Sequence, residues 1–165
     1  MARTSASREA VEKANLKKVV AHLRNHTLVK GYVDALPVAS LEGLLQGEPA
    51  ALPQKIPVRS AESGKLVTVS VDSLKALFFV KSFEGHKEHK EIKFFEQHPP
   101  LEGLLVHVRF FDNESTEGVI CNSLHHLMRL GFFLKPPDPQ SNNEMVYVVK
   151  SSLSEFHVLR VTSIN

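Results

Sequence analysis

Over most of the chain, apolar and polar residues alternate with a period of two, the spacing of half-buried strands. Val19, Ala21 and Leu23 alternate with Lys18, Val20, His22 and Arg24. Successive side chains of a strand point to opposite faces, so this spacing gives one inward and one outward face. Arg24-Asn25-His26 is turn-like, and Leu28 to Val33 resumes the pattern, which predicts a hairpin. Ser5 to Ala14 reads differently. Ser5 or Ser7 can cap a helix there, Glu9 and Glu12 favour its start, and no glycine or proline interrupts it.

The second half restarts the same plan. Leu104, Val106, Val108 and Phe110 alternate with Leu105, His107, Arg109 and Phe111, then Asp112-Asn113-Glu114 turns the chain and Ser115 to Cys121 returns. An offset of 87 places Val19 on Val106, Ala21 on Val108, Leu23 on Phe110 and Gly31 on Gly118. At an offset of 83, Ser40-Leu41-Glu42-Gly43-Leu44-Leu45 falls on Ser123-Leu124-His125-His126-Leu127-Met128. Both read as a Ser-capped helical turn followed by a glycine, Gly47 or Gly131. At an offset of 79, Pro57 falls on Pro136, Val67 on Val146, Val69 on Val148, Ser73 on Ser152, Leu77 on Phe156 and Phe79 on Val158. Loop insertions in the first copy explain the two steps in offset, and loops tolerate insertions at little cost.

These patterns predict a mainly β protein: two tandem small SH3-like or Sm-like barrels related by internal duplication, with a short N-terminal helix and a charged linker. The expected boundaries are 1–15 for the helix, 16–81 for the first barrel module, 82–100 for the linker and 101–165 for the second module. A barrel closes its sheet and removes most open edges. A unit of about 60 residues has a marginal core, so two units packed together and clamped by the linker would be safer; a single merged sheet is the structural alternative. The linker sequence Glu84-Gly85-His86-Lys87-Glu88-His89-Lys90-Glu91 is expected to be an exposed strap, with Phe94-Phe95 tucked against one barrel.

Composition narrows the functional classes. Apolar residues make up 42% and charged residues 23%, which suits a soluble globular chain, and the net charge of +2 is too small to point to a polyphosphate partner. The one cysteine, Cys121, rules out an intramolecular disulfide and fits a reducing compartment. The segment Met1 to Ala10 lacks the apolar stretch of a secretory signal, and no run approaches the ~18 apolar residues of a membrane span. A cytoplasmic protein without membrane insertion is expected.

Candidate chemistry is sparse. His86-x-x-His89 and His125-His126 have spacings a metal could use, but converging third and fourth ligands and paired cysteines are missing, so no metal is expected. There is no G-x-S-x-G, Walker or G-x-G-x-x-G motif, so neither a catalytic residue nor a cofactor is expected. Asn113-x-Ser115-x-x-Gly118 resembles the second half of the PilZ signature for cyclic-di-GMP, although Arg3 and Arg8 have one residue too many between them for its arginine element. His107 and Arg109 share a strand face that could serve as an anion or base platform in an Sm-like barrel. The loop Pro136-Pro137-Asp138-Pro139-Gln140-Ser141-Asn142-Asn143 reads as stiff, polar and exposed, with its asparagines suited to a tight return.

Two stretches carry a family resemblance. Phe79-Val80-Lys81-Ser82-Phe83-Glu84-Gly85, and Gly131-Phe132-Phe133-Leu134-Lys135-Pro136 with Asp138-Pro139 and Ser141-Asn142-Asn143, together resemble an uncharacterised bacterial domain often attached to signalling or regulatory proteins. The resemblance covers about Asp72 to Leu159. Where members of that family usually carry Asp-Gly-Glu at the hairpin turn, Asp112-Asn113-Glu114 stands here, which weakens the PilZ reading. The resemblance implies a bacterial, cytoplasmic accessory module and supplies no ligand. The expected function is therefore a non-enzymatic protein-interaction or regulatory adaptor, with Leu124, Leu127, Met128, Phe132 and Phe133 as its contact surface and another protein as its partner. The alternative is a nucleotide- or RNA-binding module using His107, Arg109, Asn113, Ser115 and Gly118.

Overall fold

The computed structural model describes residues 16–34, 45, 52–85 and 87–164. The alternating segments form ten strands: β1 (Lys17–Leu23), β2 (Leu28–Val33), β3 (Lys55–Ser60), β4 (Leu66–Ser70), β5 (Leu74–Val80), β6 (Gly103–Phe110), β7 (Ser115–Ile120), β8 (Gly131–Leu134), β9 (Asn143–Val149) and β10 (Leu153–Thr162). Short 3-10 turns at Val71–Ser73, Leu124–Leu127 and Lys150–Ser152 separate some of them. The N-terminal helix expected at Ser5 to Ala14 lies outside the described residues. So does the Ser40 turn, apart from Leu45, which is buried in the core.

All pairings are antiparallel. They give a seven-stranded sheet, β4-β3-β2-β1-β5-β9-β8, and a three-stranded sheet, β10-β6-β7. A single bridge, Val119 to Lys135, links β7 to the end of β8. The ten strands therefore form one continuous series, β4-β3-β2-β1-β5-β9-β8-β7-β6-β10, with β4 and β10 at its ends.

The second five strands repeat the pairing order of the first five. Val19 faces Gly31 and Phe79 across β1; Val106, 87 positions on, faces Gly118 and Val158 across β6. The bulge between His22 and Leu23 against β5 recurs where Leu153 to Glu155 passes β6. His26 and Asn113, also 87 apart, are the non-glycine residues with left-handed backbone among the described residues, at φ 69° and 70°. Each seats a tight hairpin turn in which the chain reverses. One detail departs from expectation. Tyr32 pairs with Arg59 as Val119 pairs with Lys135, and Pro57 faces Thr68 as Phe133 faces Tyr147. The offset for β3 is therefore 76, from Pro57 to Phe133, and the two prolines Pro57 and Pro136 are not counterparts.

The expected pair of separate barrels is not what these pairings build. Neither sheet closes, and β5 of the first half pairs directly with β9 of the second, Leu77 facing Tyr147 and Phe79 facing Met145. The reason lies in the runs Leu74-Lys75-Ala76-Leu77-Phe78-Phe79-Val80 and Met145-Val146-Tyr147-Val148-Val149. A strand with one wet face alternates, whereas one covered on both faces reads as a continuous apolar run. Leu77, Phe79, Met145, Tyr147 and Phe133 enter one core with Val19, Ala21 and Val58, while Ala76, Val146, Val148, Phe132 and Leu134 enter a second core with Val106, Val108 and Phe110. Burying side chains of this size contributes roughly 1.5–3 kcal/mol each, and the shared strands contribute to both cores at once.

The predicted linker is a pinned strap. Phe83 packs edge-on against Tyr32 with ring centroids 5.5 Å apart, and its carbonyl accepts from Lys30 Nζ at 3.2 Å. Farther along, the Lys93 carbonyl accepts from Glu117 N, and Glu117 Oε2 accepts from Phe95 N at 2.9 Å. Phe94 is not tucked away as expected but is 55% exposed, because the bonds that tie down its neighbours turn it outward.

Gly31 and Gly118 are two of the positions where strands approach too closely for a side chain. A Cβ on Gly31 would lie 2.3 Å from the Arg59 carbonyl oxygen, and one on Gly118 would lie 2.2 Å from Leu134 Cδ2. Gly31→Ala should lower stability by about 1–3 kcal/mol in urea unfolding. Gly118→Ala should cost less, because a leucine tip can rotate and a ladder carbonyl cannot. Equal or negligible losses would contradict these contacts.

Candidate docking surface

The Leu124–Leu127 turn follows β7 and is held from beneath by polar bonds. Ser123 caps it, its hydroxyl accepting from His125 N at 3.2 Å. Lys150 Nζ donates to the His126 carbonyl at 2.7 Å and reaches the Leu127 carbonyl at 3.4 Å, while Lys150 N donates to the Leu130 carbonyl. The His126 ring packs edge-on against Phe132 at 6.0 Å. With its carbonyls satisfied inward, the turn carries its apolar side chains outward: Leu124 is 82% exposed, Leu127 78% and Met128 85%. Single exposed apolar residues are ordinary, whereas three on one short turn are a candidate for contact with a partner.

Two hollows flank that turn. One, about 410 Å³, is lined by His126, Leu127, Phe132, Lys150, Leu153 and Phe156. Phe132 and Phe156 form its wall, edge to face at 5.6 Å. The other, about 370 Å³, lies between Val71, Leu127, Met128, Leu130 and Val149. Farther along β10, Val158, Leu159 and Val161 are also exposed. Among the described residues β10 pairs only with β6, and no described strand lies along its outer edge.

Of the contact residues expected from sequence, Leu124, Leu127 and Met128 lie on this surface. Phe132 and Phe133 do not form an exposed strand edge. Both are 3% exposed, Phe132 in the second core and at the floor of the larger hollow, Phe133 in the first core against Phe79 and Tyr147. β8 is short and both its faces are covered, which two adjacent phenylalanines require. Sequence reasoning missed Phe156, Val158 and Leu159. They sit in a regular strand pattern whose lack of a covering layer no local signal reveals.

Of the residues of the alternative anion face, His107, Arg109 and Ser115 share one face of β6 and β7, while Asn113 and Gly118 lie apart from it. Arg109 Nη1 is 2.8 Å from Glu155 Oε1, and the His107 ring neighbours His157 at 6.3 Å on the outward side of β6. Asn113 holds the hairpin turn, Ser115 pairs across from Arg109, and Gly118 faces inward against Leu134. Among the described residues no group of three His, Cys, Asp or Glu side chains is placed to hold a metal, and His86 lies outside them. A different charged group is well formed. Lys75, 4% exposed, lies 2.6 Å from Asp112 Oδ2, also pairs with Glu114, and sits over the Phe110 ring at 4.8 Å. It ties the last strand of the first half to the hairpin turn of the second.

The proline-rich loop is also not an exposed recognition loop. Asp138 and Ser141 are 5% and 2% exposed. His89 Nε2 lies 2.6 Å from Asp138 Oδ2, which also accepts from Ile92 N at 3.0 Å, while Asp138 Oδ1 accepts from Gln140 N at 2.9 Å. Ser141 Oγ donates to Glu91, which also accepts from Asn143 Nδ2 at 3.3 Å. Asn142 grips Ser82 from both sides: its Oδ1 accepts from Ser82 N at 3.0 Å and its Nδ2 donates to the Ser82 carbonyl at 2.9 Å. The loop's asparagines thus act through their side chains and not through left-handed backbone. The two stretches that carry the family resemblance meet here as two halves of one clamp.

Burial alone would raise the Asp138 carboxyl, but the N–H groups of Ile92 and Gln140 and the ring of His89 outweigh it and hold it below the usual carboxylate range. Glu91 shows the same balance, burial opposed by Ser141, Lys93 and Asn143.

The sequence matches the model of a family of unknown function, DUF6982, over residues 15–160, and the chain belongs to that family. No curated protein and no solved structure matches it.

A carboxyl depressed in the folded state stabilises the fold above its unfolded value, and that contribution is lost as pH falls through the folded one. For Asp138 and Glu91 the loss should come below about pH 4. Asp138→Asn should lower stability at pH 7 by about 2–3 kcal/mol and flatten the decline below pH 4, read from urea unfolding at a series of pH values. An unchanged acid slope would remove the clamp from this role.

Proposed function

We propose that this member of DUF6982 is a non-enzymatic docking module, built from two copies of one small SH3-like unit, that binds another protein chain through the Leu124–Leu127 turn and the strip of β10 beside it. The observation carrying the proposal is the rigid presentation of Leu124, Leu127 and Met128, each more than three-quarters exposed, on a turn whose polar groups are tied down by Lys150 and Ser123. Holding three apolar side chains in water is unfavourable, so a surface that braces them there is suited to a partner that covers them. The fitting partner offers an apolar side chain for the Phe132–Phe156 hollow and contacts for the surrounding rim. His126 and Lys150 border that hollow and leave it without a carboxylate wall except at Glu155.

An adaptor role in bacterial regulation accords with the resemblance of its two landmark stretches to accessory domains. Bond-making chemistry is not part of the reading. The closely spaced His89 and Asp138 are committed to the strap, with both Asp138 oxygens occupied. No helix among the described residues is long and apolar enough to cross a membrane.

A photo-reactive residue at position 127, introduced into the full chain in its native host, should yield a discrete adduct with another protein. The same label at exposed Glu96 should not, and Leu124→Asp or Met128→Asp should reduce the adduct at least ~10-fold, the effect of about 1.4 kcal/mol. Adducts no stronger at 127 than at 96 would defeat the proposal.

A further inference from the structure

The two ends of the strand series are counterparts of the two strands that meet in its middle. β10 stands in the second half where β5 stands in the first, since Val158 and Phe156 face Val106 and Val108 as Phe79 and Leu77 face Val19 and Ala21. β4 stands where β9 stands, since Val67 faces Val58 as Val146 faces Leu134. Inside the molecule β5 and β9 pair along their outer edges. The outer edges of β10 and β4 pair with no described strand.

We propose that the protein associates head to tail with further copies of itself, the β10 edge of one molecule pairing with the β4 edge of the next in the register by which β5 pairs with β9. This deepens the docking reading by naming an occupant for the β10 part of that surface. Transferring Leu77 to Tyr147 and Phe79 to Met145 sets Phe156 opposite Thr68 of the next molecule and Val158 opposite Leu66.

Exposure at these positions supports the transfer. In the internal joint Leu77, Phe79 and Met145 are 0–1% exposed, whereas their counterparts Phe156, Val158 and Leu66 are 43%, 53% and 63% exposed. The apolar pattern needed for the joint is present at both ends, and no described strand covers it there. The bulges of β10 against β6, at Leu153/Glu155 and Val158/Arg160, fall on either side of residues 156–158 and leave that stretch in regular register. The charges and prolines that normally discourage strand addition are missing from both pairing stretches. β4 (Leu66–Ser70) has no charge and no proline, and the Phe156–Leu159 part of β10 has only His157 as a titratable group. The contact joins two different surfaces, so each added molecule leaves one edge of each kind open. Growth then continues until a ring closes or a filament forms.

The test is the mass of the purified full chain by sedimentation, alone and in mixtures. The wild type should become heavier with concentration, while Leu66→Lys and Val158→Lys, both at exposed positions, should each remain at the monomer mass. Mixed in equal amounts, the two variants should give a species of twice the monomer mass and nothing larger. In that species the intact β10 of the first variant meets the intact β4 of the second. Circular dichroism of each variant establishes that it is folded. A wild type that stays monomeric to about 100 µM, a weaker affinity than specific interfaces of standard size reach, would overturn the proposal. So would association that survives both substitutions, or a mixture that stays monomeric. If the label at position 127 still captures a different protein when the wild type is monomeric, the docking reading stands and self-association alone is lost. If neither occurs, both are lost.

Discussion

When β5 is placed beside β9, two strands lose both of their wet faces, and the rest of the architecture follows from how those faces are filled. Leu77, Phe79, Met145 and Tyr147 turn to one side, and Ala76, Val146 and Val148 to the other. Each half alone would be a marginal unit with a small core. Sharing the central strands lets the first core take Phe133, Met145 and Tyr147 from the second half, while the second takes Ala76 from the first. The buried Lys75, paired with Asp112 and Glu114, crosses the same boundary with a directional contact. A lysine in this setting tolerates little displacement, since it would remain buried without its partners.

The strap and the loop that holds it make the join specific. β5 ends at Val80 opposite Asn143, Ser82 enters the grip of Asn142 directly after it, and Asp138 holds His89 and Ile92 farther along the strap. Here the chain saturates polar groups that burial would otherwise leave unpaired. A strap long enough to wander is held to one path across the sheet. The landmarks of the family resemblance are therefore structural in this chain, and the apolar outer surface lies elsewhere, on the 124–128 turn and β10.

That separation bears on evolution of the surface. A fixed frame, with its polar groups satisfied inside, leaves the turn after β7 and the last strand free to vary their side chains without threatening either core. Loops and edges placed on rigid scaffolds are common carriers of recognition for this reason.

The period-two patterns specified β1, β2, β6 and β7 and the two hairpins they form, because alternation depends only on neighbours along a strand. The turn at Ser123 was equally legible, since a serine cap and its apolar spacing are local features. The residues that would cover each strand lie elsewhere in the chain and leave no local trace. Phe132 and Phe133 read as a possible exposed edge but lie between two cores, whereas Phe156 and Val158 read as ordinary strand residues and lie uncovered. The Asp138 loop read as a surface feature for the same reason, because the partners that bury it, His89 and Glu91, sit some fifty residues earlier. Local periodicity fixed β1, β2, β6 and β7 and which of their side chains share a face; pairing between distant strands alone decided that the halves merge and which apolar faces meet water.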